Sequence, residues 1–454
     1  MSAPLQGLTA VHTALAAAER AGAAAGDAVL VESDAVEVRV RGEEIDFVKQ
    51  ARERRLGIRV FVGTTGGLRQ ALTSTSDLSA EAVERLARES VTLATAGAPD
   101  PDAGLPADDF ACDLPDLQLL DPADRTIPVE THIEEARRAE RAARGVDPRV
   151  VNSEGSDAGA ELRQVAYANS AGFSGAYESA FHSLTAQPVV ASDGTMQSDY
   201  WFSISRDRAH LDAPEAVGRQ AARRALAQLG AHSVPTTEVP VIFDAPTARS
   251  LLANLASCVS GYAIYRKSSF LADRMGQTIA SPLVQVVDDG RIPSGLGSKP
   301  FDGEGLPTRR NVVVAQGRLA SWLLDSYSAR KLGLASTGNA TRSAGSSPSA
   351  GPTNLWLEPG STSLEEMVQD TQRGLLVTGL FGHGFNAVTG DFSRGARGWW
   401  IEAGQRVHPV EEITVAGNLG AMLRDIDVVG SELLWLGSIA SPPLRVARMT
   451  VAGA

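Results

Sequence analysis

Three groups of side chains in this sequence have types and spacings that can do chemistry. Ser328-Ala329-Arg330-Lys331 fits S-x-x-K, in which a lysine lowers the cost of ionising a serine for nucleophilic attack. So short a pattern recurs by chance and its companion motifs are absent, so a surface or turn role is the simpler reading. His383 and His408, with Asp391 and Glu402 between them, offer two imidazoles and two carboxylates, a donor set that suits a divalent ion. Their spacing is irregular and they fall on different turns. The simpler reading puts His383 in a glycine-rich loop facing a groove and ends a hairpin at His408-Pro409. Asp391, Arg394 and Arg397 admit two roles. An Asp–Arg pair can pin a tight turn, with Gly390, Gly395 and Gly398 permitting unusual backbone angles, and this structural role is preferred. Alternatively, guanidinium forks can hold a peptide carboxylate or backbone at a channel mouth. Trp399 and Trp400 must point to opposite faces of a strand, one into a core and the other toward an interface. Cys258 shares an apolar helix face with Leu251, Leu252, Leu255 and Val259 and reads as a buried thiol.

The elements that must position these groups follow from periodicity. An alanine-rich amphipathic helix covers residues 8–25, ending at Gly22 or Gly26. Val29 and Val31, then Val36, Val38 and Val40, then Ile58, Val60 and Val62, recur with the period of two that marks strands. Ser79 caps a helix over 80–94, and a charged helix runs over 128–144. Between them, residues 97–128 read as a long surface connection. Strands follow over 150–152, 161–167, 173–190 and 200–205. Asn152-Ser153-Glu154-Gly155 and Asn169-Ser170-Ala171-Gly172 read as tight hairpin turns, because Asn and Gly tolerate left-handed backbone. A helix over 214–229 closes this half, and the boundary falls in 231–240, giving an N-terminal domain of 1–234 and a C-terminal domain of 235–454. The second half opens with a strand at 239–243 and a helix at 247–260. Segments 310–314, 318–324, 374–378 and 397–401 read as members of one antiparallel, barrel-like sheet. The Ser-, Gly- and Thr-rich stretch 333–360 reads as a mobile surface loop. The fold class is therefore α+β.

Composition narrows the function. A chain of 454 residues, 43% hydrophobic and 21% charged, is ordinary for a soluble protein with two domains. Its net charge of −12, with no Lys/Arg run, argues against nucleic acid as the main partner. Two cysteines neither staple a secreted fold nor build a cysteine metal cage. No apolar run approaches the ~18 residues of a membrane span, and no basic leader precedes an apolar segment, so a cytoplasmic location is the default expectation.

The segments Thr389-Gly390-Asp391-Phe392-Ser393-Arg394-Gly395-Ala396-Arg397-Gly398-Trp399-Trp400 and Val410-Glu411-Glu412-Ile413-Thr414-Val415-Ala416-Gly417-Asn418-Leu419 resemble the signature of the TldD/PmbA family of heterodimeric peptidases. Tyr265-Arg266-Lys267-Ser268-Ser269-Phe270, Pro300-Phe301-Asp302-Gly303-Glu304-Gly305 and Ser326-Tyr327-Ser328-Ala329-Arg330-Lys331 extend the likeness through the second half. In catalytic members a helix carries H-E-x-x-x-H and a cysteine near the C-terminus completes a zinc site. The matching helix here reads Ala253-Asn254-Leu255-Ala256-Ser257-Cys258, no His lies between His232 and His383, and no Cys follows Cys258. Leu436 stands in the stretch where that cysteine is expected.

The resemblance therefore implies a TldE/PmbA-type subunit with no zinc and no catalytic residue of its own, Ala253, Asn254 and Cys258 being a degenerate metal motif. It implies a zinc-bearing TldD-like partner and an extended peptide substrate, with no nucleic acid and no membrane. His383, Asn386, Asp391, Arg394, Arg397 and Trp400 are the substrate-channel or interface candidates. Two other functions remain open. One is a related amide hydrolase acting on a peptide-like metabolite, and the other is a non-enzymatic regulatory homodimer.

Overall fold

The computed structural model describes residues 3–107 and 109–453, with side chains from residue 7 onward. Helix α1 (Ala3–Arg20) leads into three long strands, β1 (Ala25–Arg41), β2 (Glu44–Thr64) and β3 (Gly67–Thr75). The β1–β2 hairpin turns on Gly42 and Glu43, both at positive φ (65° and 64°), which matches the right-handed twist of the flanking strands. Helices α2 (Ala80–Ala96) and α3 (Val129–Arg144) follow, then β4 (Val150–Asn169), β5 (Ser174–Ser192), β6 (Thr195–Ser198), β7 (Trp201–Ser205) and α4 (Pro214–Leu226). The strands form one antiparallel sheet in the order β3-β2-β1-β4-β5-β6, with β7 also on β5.

Strand alternation decides what each face of this sheet meets. Ala28 and Leu30 of β1 turn toward α1 and α2, and Val38 and Val40 toward α3 and α4. Val29 and Val31 turn the other way, toward Tyr167, Phe173 and Phe301. Ser79 caps α2 as expected, its hydroxyl accepting from Ala82 N. Asn169 closes the β4–β5 hairpin, its Oδ1 accepting from Ala171 N and Phe173 N (both 3.1 Å). The other Asn-Ser-x-Gly segment is not a hairpin. Residues 152–155 lie inside β4, where two register shifts against β5 absorb extra residues and Gly155 takes φ 129°.

The second half contributes β8 (Thr237–Phe243), α5 (Ala245–Cys258), α6 (Gly261–Tyr265), β9 (Val286–Asp289), β10 (Arg310–Ala315), β11 (Arg318–Leu319) and α7 (Ser326–Leu332). It continues through β12 (Ala340–Thr341), β13 (Ser349–Ala350), β14 (Leu355–Leu357), α8 (Leu364–Gln369), β15 (Arg373–Phe381), β16 (Asp391–Glu402) and β17 (Gln405–Asn418). It ends with α9 (Leu419–Arg424), β18 (Ile426–Val429), β19 (Leu434–Trp435), β20 (Ile439–Ser441) and β21 (Leu444–Ala452). Strands β17-β16-β15-β8-β21 close into a ring through β17–β21 pairing, with β18 added on β21. Within it only β8–β15 is parallel. The largest apolar core fills the ring and the underside of α5.

The α+β reading holds: a helix-and-sheet part precedes a mostly antiparallel, barrel-like part. Three expectations need correction. Segments 310–314 and 318–324 do not join the barrel strands. They belong to a second sheet, β11-β10-β9-β14-β20-β19, and only Arg318 and Leu319 of the latter segment pair as a strand. The stretch 333–360 is not a free surface loop, because several of its residues are anchored on other segments. Asp288 accepts from Asn339 Nδ2 (2.7 Å), Thr353 N (2.7 Å) and Thr353 Oγ1 (2.9 Å). Ala344 in this stretch presses so closely on β2 that a Cβ at Gly57 would lie 1.8 Å from its carbonyl oxygen. Segment 97–128 is likewise a strap more than a surface run: Ala111 N donates to Gly305 O and Ser294 N to Leu117 O, and Leu117 and Leu119 are buried. Small and polar residues read as loop when their hydrogen-bond partners lie far away in sequence.

Candidate functional site

Helix α5 begins at Asp244, whose Oδ1 accepts from Thr247 N (2.9 Å) and Thr247 Oγ1 (2.7 Å). Leu251, Leu252 and Leu255 face the core, which leaves Arg249, Ala253, Asn254 and Ser257 on the outer side. Cys258 is fully buried, and burial pushes its thiol up to about 11, so it stays protonated and inert near neutral pH. Asn254 keeps a buried Nδ2 without a hydrogen-bond partner among the described residues. The C-terminal stretch at Leu436 does come up against this helix: Arg249 Nη1 donates to Leu436 O, and a Cβ at Gly437 would lie 3.0 Å from that nitrogen. Helix and C-terminal segment thus meet, and a guanidinium bridges them. A fixed positive charge there opposes a metal cation. Among the described residues no group of three or more His, Cys, Asp and Glu side chains is placed to hold a metal ion.

The signature strand β16 sorts the remaining candidates. Asp391 does not pair with either arginine. Its carboxylate accepts from Thr389 Oγ1 (2.7 Å) and Asn418 Nδ2 (3.2 Å), which hold its pKa below the usual value. Asn386 Oδ1 accepts from Val388 N (2.9 Å), and Asn386 N donates to Asp391 O (2.9 Å), so loop 382–390 is closed by its own amides. Arg397 reaches across to the first half of the chain, with Nη2 2.7 Å from Asp199 Oδ1 and Nη1 donating to Gln228 Oε1 (2.6 Å). Arg394 has one long contact, Nε to Phe381 O (3.5 Å). Trp400 is only 4% exposed and sits in the main core with Nε1 on Glu402 Oε1; Trp399 is the half-buried one. His383 and Asn386 are exposed on the loop.

Of the glycines in this segment, Gly390 has the positive φ (82°) expected of it. Gly398 does not. It is required by close approach instead, since a Cβ there would lie 1.8 Å from Leu376 O. The hairpin before His408 turns at Ala403 and Gly404, so His408 lies within β17, where its ring stacks on His232 (centroids 4.1 Å apart). His383, Asp391, Glu402 and His408 are not gathered into a metal site. Ser328 is no nucleophile: its hydroxyl completes the capping box of α7 with Asp325, while Lys331 pairs with Asp100 (3.2 Å) and Asp102 (2.6 Å) of the strap.

The seam between the two halves carries charges that sequence reading missed. Asp27 is fully buried between Arg59 (2.5 Å) and Arg342 (2.5 Å), and Arg59 also approaches Glu304 (3.4 Å). Burial works to raise the Asp27 pKa, but the two guanidiniums outweigh it and hold it low. Glu304 in turn accepts from Ser326 N (2.8 Å) and Ser326 Oγ (2.5 Å). Two of the signature segments, 300–305 and 326–331, therefore meet at this seam. No helix among the described residues is long and apolar enough to cross a membrane.

Comparison with known proteins places this geometry. Models of the PmbA/TldA metallopeptidases match along the chain: domain 1 over 26–94, the central domain over 122–229 and the C-terminal domain over 236–453. The chain is 37% identical over 446 residues to the metalloprotease PmbA of Escherichia coli O157:H7, covering 96% of this chain and 95% of that one. Against a metalloprotease TldD homolog of Haemophilus influenzae it is 28% identical over 281 residues, 58% of this chain and 57% of that one. A Bacteroides thetaiotaomicron protein proposed to modulate DNA gyrase has the same fold, with a TM-score of 0.89, 27% identity and 98% of each chain covered.

Proposed function

The chain belongs to the PmbA/TldD metallopeptidase family, on its PmbA side, and from that premise we propose that it is the zinc-free subunit of a heterodimeric zinc peptidase. A TldD-type paralogue supplies zinc and the general base through H-E-x-x-x-H. This chain completes a closed chamber and helps hold an extended peptide, which binds through its backbone as an added strand would. Its contribution is positional: access to the chamber selects unfolded segments and excludes folded proteins.

The observation that carries this reading is the corner where α5 meets Leu436. Ala253, Asn254 and Cys258 occupy the helix, the thiol is buried and protonated, and Arg249 bridges to the C-terminal segment. Co-expression with the TldD-type paralogue tests the proposal. A one-to-one complex that cleaves unfolded peptides, and loses that activity when either chain is omitted, is the expected result. Full activity of the paralogue alone removes the chamber role, and a stable homodimer that ignores the paralogue favours a regulatory protein.

A further inference from the structure

A cavity of about 300 Å³ opens at the seam between the outer face of the first sheet and the 296–303 and 341–353 segments, at the small end of the range typical of ligand pockets. Its apolar walls are Val29, Val31, Val165, Tyr177 and Phe301, with the Tyr177 and Phe301 rings edge to face at 5.4 Å. Its charged lining is lopsided. Arg163, Arg206, Lys299 and Arg342 bring four cations to it, against the single carboxyl of Asp302.

The cations are unevenly satisfied. Lys299 Nζ makes one hydrogen bond, to Ala340 O (3.1 Å), and no ion pair among the described residues. Arg206 spends its guanidinium on the carbonyls of Ala180 (2.9 Å), Gly295 (3.4 Å) and Leu296 (2.5 Å), which offer no negative charge. Exposed Arg163 has neither a hydrogen bond nor an ion pair among the described residues. The Arg342 side chain is 1% exposed; it donates to Asp27 through Nη1, while its Nε and Nη2 are buried without partners among the described residues. Asp302 brings at most one negative charge against these four cations, and its oxygens are turned to Glu304 N (2.9 Å), Leu306 N (3.0 Å) and Ala340 N (3.1 Å). Burial, then repulsion from Glu304, further pushes its carboxyl up to about 7. Unpaired cations and orphaned donors around an apolar-walled cavity are costly unless an anion enters it.

We propose that this cavity is a binding site for a small organic anion, a carboxylate or phosphate head carried on an apolar or aromatic body. The head meets the Lys299 ammonium and the exposed Arg163 guanidinium, and the body lies against the valines and the aromatic rings. Its lining residues all belong to this chain, and one of them, Ser438, lies two positions from the Leu436 that meets α5.

Isothermal titration of the full chain with N-acetyl-phenylalanine, phenyl phosphate and neutral N-acetyl-phenylalaninamide tests it. At least one of the two acids should bind saturably at one per chain, and the amide at least tenfold more weakly. Which acid binds identifies the head group. Arg163→Gln, a change at an exposed side chain, and Lys299→Met should each weaken acid binding at least tenfold, with melting curves confirming that the variants fold. The proposal is overturned if neither acid binds, if the amide binds as well as the acids, or if Arg163→Gln binds them as the natural chain does.

Discussion

Arg342 Nη1 donates to Asp27 Oδ1 at 2.5 Å, joining two side chains 315 positions apart in the sequence, both sealed from solvent. Arg59 holds the other carboxylate oxygen (2.5 Å) and leans toward Glu304, so four charges from β1, β2 and the second half lock the seam. Such a set contributes orientation more than net stability, but removing one member leaves the others uncompensated.

Arg342→Met should therefore cost about 3 kcal/mol, the lower end for breaking a buried pair because Arg59 still serves Asp27. Urea denaturation of both chains measures it. Arg342→Lys should recover only part of the loss, since a single ammonium cannot reproduce the planar fork over Tyr167 (5.9 Å). An effect below about 0.5 kcal/mol, the range of ordinary surface substitutions, would mean that the seam is not held by this pair.

Buried carboxyls give the chain a pH dependence of definite sign. Burial pushes Asp288 up to about 6 and, with Glu304, Asp302 up to about 7, against roughly 3.9 for an unfolded aspartate. Between those values the folded chain binds more protons than the unfolded one. Stability from these two groups is therefore full below about pH 4 and is lost as pH rises through 6 to 7. Asp27 works the other way: its depressed value contributes stability that disappears as pH falls through it, below about 4. Denaturation midpoints should be lower at pH 8 than at pH 5, and Asp288→Asn should narrow that gap. A gap that Asp288→Asn leaves untouched would show that Asp288 is ionised throughout.

The glycines of the β16 signature make a paired test. Gly398→Ala drives a Cβ to within 1.8 Å of Leu376 O and must pry β15 from β16, so it should cost more than about 3 kcal/mol or abolish soluble expression. Gly395→Ala meets only ordinary contacts, Phe381 Cβ at 3.5 Å, and should be neutral or stabilising by about 0.4–1 kcal/mol. Equal effects at the two positions would contradict close backbone approach as the reason for Gly398.

What could be read from the sequence follows the same division between local and distant contacts. The even positions of β1, the Ser79 cap of α2 and the apolar face of α5 each carry their signal within a few residues, and each is where periodicity puts it. The first half of β2, Glu44 to Arg55, is exposed along most of its length and shows no alternation, so only its pairing with β1 reveals it as a strand. Arg397 spaced three residues from Arg394 suggests a shared task, yet its partners Asp199 and Gln228 lie in the other half of the chain. The stretch 333–360 looks unstructured because the carboxylate that organises it, Asp288, is some fifty positions upstream (51 from Asn339). Family resemblance marked 300–305 and 326–331 as signature segments, and only the fold explains why: Glu304 binds Ser326 at the seam.

At the α5 corner, Arg249→Ala should release the C-terminal segment at a cost of about 1–2 kcal/mol, since a charged donor to the Leu436 carbonyl is lost. It should not create zinc binding, because neither Ala253 nor Asn254 becomes a metal ligand and Cys258 stays buried. Zinc uptake by that single variant would mean that ligands other than the helix residues are at hand.

The most direct measurement is metal content and peptide hydrolysis of the purified chain, first alone and then mixed with the proposed partner, a TldD-type protein carrying H-E-x-x-x-H. The zinc-free reading predicts far less than one zinc per chain and no hydrolysis alone, with chelator-sensitive cleavage appearing only in the mixture. Stoichiometric zinc in the chain alone, together with cleavage that a chelator abolishes, would contradict it.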